Sequence, residues 1–222
     1  MNLIEAAENR HSVRKYQNIP LSEEIKEKLQ EVIAECNRES GLHIQIVNDE
    51  PKAFDGIMAH YGKFSGVSNY IALVGQKSAD LDEKVGYYGE KIALAAQQAG
   101  LNTCWVALTF SKRKSRCRIN PGEKLVCVLA LGYGENQGTA HKSKPMDDLC
   151  KYQGDMPEWF KKGMDMAALA PTAMNQQKFL ITGNGNQVKA RATGGFYSKV
   201  DLGIVKYHFE LGAGKDKFKW TK

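Results

Sequence analysis

Met156-Pro157-Glu158-Trp159-Phe160-Lys161-Lys162-Gly163-Met164-Asp165-Met166-Ala167-Ala168-Leu169-Ala170-Pro171 is an apolar stripe that ends on a proline. Phe160, Met164, Ala167 and Ala168 recur at helical spacing, which predicts a helix over 157–170. Pro171 cannot continue it. Phe179 and Ile181 then alternate as a strand. The same pattern occurs earlier in the chain. Ser22 is a candidate N-cap followed by Glu23 and Glu24. Ile25, Leu29, Val32, Ile33 and Cys36 form one stripe, and Leu42, Ile44 and Ile46 alternate after it. A helix over 79–100 likewise has a counterpart over 198–214, with Ala99-Gly100 matched by Ala213-Gly214. These pairs read as an internal duplication. They predict a first half over 1–150 and a shorter second half over 151–222, in one compact unit of α+β class.

Between these landmarks, 2–9 and 53–59 read as short helices. Tyr70–Val74, Thr103–Leu108 and Leu125–Leu131 read as strands, the last ending in the turn Gly132-Tyr133-Gly134. The polar stretch from Glu135 to Gln153 reads as a linker or wrapping loop. A last helix is expected from Ser198 to Leu211.

Composition narrows the class. The 222 residues are 42% hydrophobic and 25% charged, as in ordinary globular proteins. No apolar stretch approaches the ~20 residues of a membrane span, so no membrane partner is expected. Acidic residues interrupt Met1-Asn2-Leu3-Ile4-Glu5, which is unlike a signal peptide, and the cytoplasm is the expected address. Cys36, Cys104, Cys117, Cys127 and Cys150 are widely spaced and odd in number. That pattern argues against a disulfide framework or a metal site. The net charge of +6 suits an anionic ligand. The sharpest basic run, Lys112-Arg113-Lys114-Ser115-Arg116-Cys117-Arg118, has no aromatic residue to stack on bases. It reads as a solvated loop, and no nucleic-acid partner is expected.

Four segments carry candidate chemistry. Arg10-His11-Ser12-Val13-Arg14 offers guanidiniums and a hydroxyl, the groups that hold a phosphate through charge-assisted hydrogen bonds. If the run is extended, Arg10, Ser12 and Arg14 lie on one side; a solvated basic loop has the same composition. Pro171-Thr172-Ala173-Met174-Asn175-Gln176-Gln177 has small residues that admit a flat ligand. Its Asn175 can both donate to and accept from a heterocycle edge. It also fits a plain helix–strand connection. Gly100-Leu101-Asn102-Thr103-Cys104-Trp105-Val106-Ala107-Leu108-Thr109 is a turn feeding a strand that opens into a loop. It reads equally as core. His141-Lys142-Ser143-Lys144-Pro145 places two lysines where they could reach an anion, or on a solvated linker.

Together these segments resemble the FMN-dependent nitroreductases. Arg10, His11, Ser12 and Arg14 match that family's motif on the FMN phosphate and ribityl chain. Pro171, Thr172, Ala173, Asn175 and Gln177 are similar to its Pro-Ser-x-x-Asn-x-Gln-Pro motif on the flavin ring, with Thr172 for Ser and Lys178 for the second Pro. Gly100–Val106 resembles its Gly-Leu-Gly-Thr-x-Trp segment, which implies that Val106, Ala107 and Leu108 lie beside flavin N5. Lys142 and Lys144 are similar to its late basic pair, and Asp201-Leu202-Gly203-Ile204 to the start of its central helix. The resemblance implies an antiparallel sheet core flanked by helices.

The order of motifs departs from the ordinary family. There the flavin-ring motif follows the second helix, where this chain has Glu35-Cys36-Asn37-Arg38-Glu39-Ser40-Gly41. The copy at Pro171–Gln177 lies in the second half. The resemblance is therefore to a fused pseudo-dimer, with one FMN per chain, as a monomer or weak homodimer. It implies hydride transfer from NADH or NADPH to FMN, and on to a small-molecule acceptor such as a nitroaromatic or quinone. No side-chain acid or base is expected to be essential. A flavin-binding protein of the same fold with another role is the alternative: a sensor, or a flavin-fragmenting or dehalogenating enzyme.

Overall fold

The computed structural model describes residues 1–221. In chain order its helices are α1 (Leu3–Asn9), α2 (Glu23–Ser40), α3 (Ile57–Tyr61), α4 (Leu81–Gln98), α5 (Met146–Leu149), α6 (Glu158–Ala167) and α7 (Ser198–Ala213). The strands are β1 (Gln45–Val47), β2 (Asn69–Gln76), β3 (Asn102–Val106), β4 (Glu123–Gly132), β5 (Cys150–Gln153), β6 (Phe179–Asn184), β7 (Gln187–Ala192) and β8 (Lys219–Trp220). This is an α+β protein, as its sequence pattern predicts. Its contacts divide it into two units. One comprises Asn9–Leu81 and Lys91–Ala140; the other comprises Met1–Glu8, Asp82–Glu90 and the chain from His141 onward.

The first unit is built on an antiparallel sheet of order β1-β2-β4-β3. All of β2 except Gln76 is buried, and so is β4 from Leu125 to Gly132. Covered faces require such continuous apolar runs. Beside the sheet, Phe54 packs against Phe64, Tyr70 and Phe110 with ring centroids 5.4, 5.9 and 6.1 Å apart. Helix α2 begins where Ser22 accepts from the Ile25 N–H. It ends at Gly41, whose left-handed φ of 72° lets its N–H reach the Asn37 carbonyl. The strand expected over 42–47 is shorter: Leu42 and Ile44 are buried, but the paired strand is Gln45–Val47.

The second unit has a mixed sheet of order β5-β6-β7-β8. β5 runs parallel to β6, β6 antiparallel to β7, and β7 parallel to β8. Residues 146–153, expected within a polar linker, form α5 and the edge strand β5. β7 escapes the apolar reading because Lys189 and Arg191 alternate with Val188 and Ala190. Glycines set the helix spacing. A Cβ on Gly86 would fall on the Val200 carbonyl oxygen, and one on Gly203 on the Glu83 carbonyl oxygen. Only glycine permits α4 and α7 to cross so closely. Phe160 and Phe209 join α6 to α7 edge to face, 5.3 Å apart. Within this core His208 lies fully buried between the Met166 carbonyl (3.1 Å) and Glu90 (3.0 Å). A buried carboxylate must be paired in this way.

Candidate functional site

The Arg10–Arg14 run is held by its backbone. Ser12 bridges Thr103 of β3, and the Val13 N–H donates to the Thr103 carbonyl at 3.1 Å. Buried Val13 anchors the run from below, and the buried Tyr16 hydroxyl donates to the Val13 carbonyl at 2.7 Å. The run is therefore fixed alongside β3 at Ser12 and Val13. Arg10 is buried, Ser12 half-buried and Arg14 exposed. All three act on the buried Cys104 thiol. Burial pushes that thiol above its usual range, against the opposing pull of Arg14, the Ser12 hydrogen bond and Arg10. Tyr16 is raised by burial and by Cys104, while Arg14 and Arg10 oppose the shift. Two guanidiniums and a hydroxyl thus belong to one short run tied to β3. That is a donor set fit for a phosphate dianion. His11 faces Gly138, where an added Cβ would stand 2.7 Å from the His11 Cβ.

β3 ends at Val106, shorter than the strand expected to Leu108. Buried Val106 and buried Phe110 anchor the segment between them, leaving Ala107 half-buried and Leu108 65% exposed. The Ser111 N–H fixes its far end on the Ala53 carbonyl at 2.8 Å.

The second unit carries the other predicted residues. After α6 the chain turns at Pro171 into a short 3-10 turn over Ala173–Asn175. Met174, Asn175 and Gln177 have φ of 52°, 53° and 45°. Non-glycine residues in the left-handed region cost about 1–3 kcal/mol each and persist only where their surroundings impose them. Here side chains do so. Thr172 Oγ1 accepts the Gln177 N–H at 3.0 Å. Gln177 is 4% exposed. Its Oε1 accepts the Lys144 N–H at 2.8 Å, and its Nε2 donates to the Lys142 carbonyl at 3.0 Å and to Asn175 Oδ1 at 2.9 Å. Asn175 Nδ2 also donates to the Lys142 carbonyl, at 3.1 Å. Lys142, Lys144, Asn175 and Gln177 are thus brought together, with Lys142 taking part through its carbonyl. Lys144 Nζ donates to the Gln177 carbonyl at 3.3 Å. His141 and Ser143 fasten the same strap to the Ala168 carbonyl, each at 3.0 Å.

Two residues outside the predicted set complete this loop. Asp201, on the first turn of α7, accepts the Ala173 N–H at 2.9 Å and Gln176 Nε2 at 2.6 Å. Burial raises its carboxyl to about 6, although both hydrogen bonds pull the other way. The sequence signal was a lone carboxylate among Val200, Leu202, Gly203 and Ile204. Among the described residues, no group of three or more His, Cys, Asp or Glu side chains could hold a metal ion. Among the same residues, no helix is long and apolar enough to cross a membrane.

Known proteins place this fold. A "putative nitroreductase" of Thermotoga maritima MSB8 superposes with a TM-score of 0.68 at 24% identity, over 96% of this chain and 83% of its own. A "putative nitroreductase in complex with FMN" from Desulfovibrio desulfuricans has a TM-score of 0.55 at 16% identity, over 71% of this chain and 98% of its own. A "putative NADH dehydrogenase/NAD(P)H nitroreductase" from Parabacteroides distasonis has a TM-score of 0.53 at 22% identity, over 67% and 97%. No curated protein matches. The family described as "Putative TM nitroreductase" matches residues 2–213, and the chain belongs to that nitroreductase family.

Proposed function

We propose that the protein is an FMN-dependent oxidoreductase that uses NADH or NADPH. FMN bound to it would supply hydride transfer from the nicotinamide to a small acceptor such as a nitroaromatic or quinone. The observation that carries this reading is the tethering of the Arg10–Arg14 run to β3 through Ser12 and Val13. Family membership and the FMN complex of the Desulfovibrio protein support it.

Each segment has a distinct task in this proposal. Arg10, Ser12 and Arg14 bind the phosphate, with His11 beside them. The lysine ammoniums of 142 and 144 add positive charge. Val106, Ala107 and Leu108 would line the reactive edge of the flavin, with a backbone N–H to offer it. Pro171, Thr172, Ala173 and Asn175 lie against the ring, and Gln177 fixes the shape of their loop. The pairing of the two sets on one flavin follows from the sequence resemblance to a fused pseudo-dimer with halves over 1–150 and 151–222. It predicts one FMN per chain.

The purified protein tests the reading directly. A flavin spectrum, a flavin-to-chain ratio near one after reconstitution, and anaerobic bleaching by NADH or NADPH are the expected results. A colourless chain that FMN cannot reconstitute would sink it. Bound flavin that neither nicotinamide reduces would leave a binding protein, not a reductase.

A further inference from the structure

We propose that Asp201 is the positioning residue of the flavin-ring loop: its carboxylate holds Thr172–Gln177 in the left-handed shape that FMN binding requires. The proposal rests on the reading of that loop as a flavin-ring segment.

The geometry leaves the carboxylate little freedom. One oxygen accepts the Ala173 N–H and the other accepts Gln176 Nε2. The Gln176 amide is oriented as well. Its Nε2 also donates to the Phe196 carbonyl at 2.8 Å, so both amide hydrogens are used. Turning the amide over would set its oxygen against two acceptors. A proton on either Asp201 oxygen would face a donor and cost one of the two bonds. The loop therefore needs the ionised carboxylate, in a site that burial makes unfavourable for charge. No charged side chain adds to the Asp201 titration. The loop itself contains no titratable residue, and Glu83 of α4, whose backbone packs on Gly203, is paired with Lys206 of α7.

A carboxylate kept at a cost to folding, fastened to a strained loop, is more than a helix N-terminal residue. Met174, Asn175 and Gln177 have no glycine to relax into. Thr172 and Gln177 tie the loop at one end, and Asp201 ties it at the Ala173–Gln176 side. Asp201→Asn keeps an acceptor for Ala173 but offers Gln176 a donor. Asp201→Ala removes both acceptors. The two variants therefore grade the clasp.

The test measures FMN affinity of the wild type, D201N and D201A, together with amide hydrogen exchange at Ala173 without flavin. Exchange at Ala173 should speed at least about tenfold in D201A, and FMN should bind about tenfold more weakly, with D201N between. Wild-type affinity should fall towards that of D201N as pH drops through about 6. The FMN phosphate titrates nearby, with a second pKa of about 6, so the D201N profile is the reference. If wild type takes up no FMN at any pH, the functional reading fails, and exchange at Ala173 alone judges the clasp. Unchanged exchange in D201A overturns the proposal, and so does faster exchange with unchanged FMN affinity.

Discussion

The segments Arg10–Arg14 and Pro171–Gln177 are both candidate flavin contacts, but they are held in opposite ways. The first is a run whose backbone, not its side chains, ties it to β3. The second is a tight loop whose own side chains hold it, so several residues read as ligand contacts are occupied with the protein. In the first region the backbone supplies the support. In the second the Gln177 amide supplies it.

Mutation should separate the two regions. The largest effect is expected from the double variant Arg10→Ala/Arg14→Ala. It removes charge-assisted contacts worth about 1.5–3 kcal/mol each, so FMN affinity should fall about 100-fold or more. A flavin titration checks this, with circular dichroism to verify folding. An unchanged affinity would move the phosphate elsewhere.

Next, Gln177→Leu strands the Lys144 N–H and the Lys142 carbonyl side of the strap. It should cost about 1–3 kcal/mol in denaturant unfolding. Ser12→Ala leaves the backbone bridge to Thr103 intact and should cost less than about 1 kcal/mol. Equal costs would erase the contrast between the two regions.

A pH series gives a smaller signal. Asp201 rises from an ordinary 3.8 to about 6 on folding. Between those values the folded chain binds more protons than the unfolded one. The group's contribution to stability therefore falls as pH rises, and it is fully unfavourable above about pH 6. Asp201→Asn removes that cost. Its Tm relative to wild type should become more favourable by several degrees between pH 4 and 7.5, at about 2–4 °C per kcal/mol. A pH-independent difference would mean that the carboxylate is not buried at cost.

The smallest effect is expected at Met174, which is 97% exposed at φ 52°. Met174→Gly relieves a left-handed methionine while making the unfolded chain more flexible. The expected change is within about 0.5 kcal/mol in thermal unfolding.

What the sequence disclosed follows the same division. Helices α2, α4 and α7 and strands β2 and β4 were legible because each carries its own period, cap or apolar run. β5, β7 and β8 were not, because they are short and half polar. The Gly185-Asn186 turn between Asn184 and Gln187 closes the β6–β7 hairpin. In the site, Arg10, Ser12 and Arg14 announced themselves by type. Asp201 did not, because its role depends on Ala173 and Gln176, far away in sequence. The sorting of α4 residues 82–90 with α7 was equally hidden, since it depends on glycines meeting across a helix crossing.

That sorting bears on how the chain can be cut or assembled. Helix α4 is one continuous helix, yet residues 82–90 count with one unit and 91–98 with the other. No single break in the chain releases either unit whole. A fragment starting at His141 would leave His208 without Glu90, and Gly203 without the helix it was shaped to meet. During synthesis Asp82–Glu90 emerges well before its partners, so this stretch must wait for the last third of the chain before its core can close.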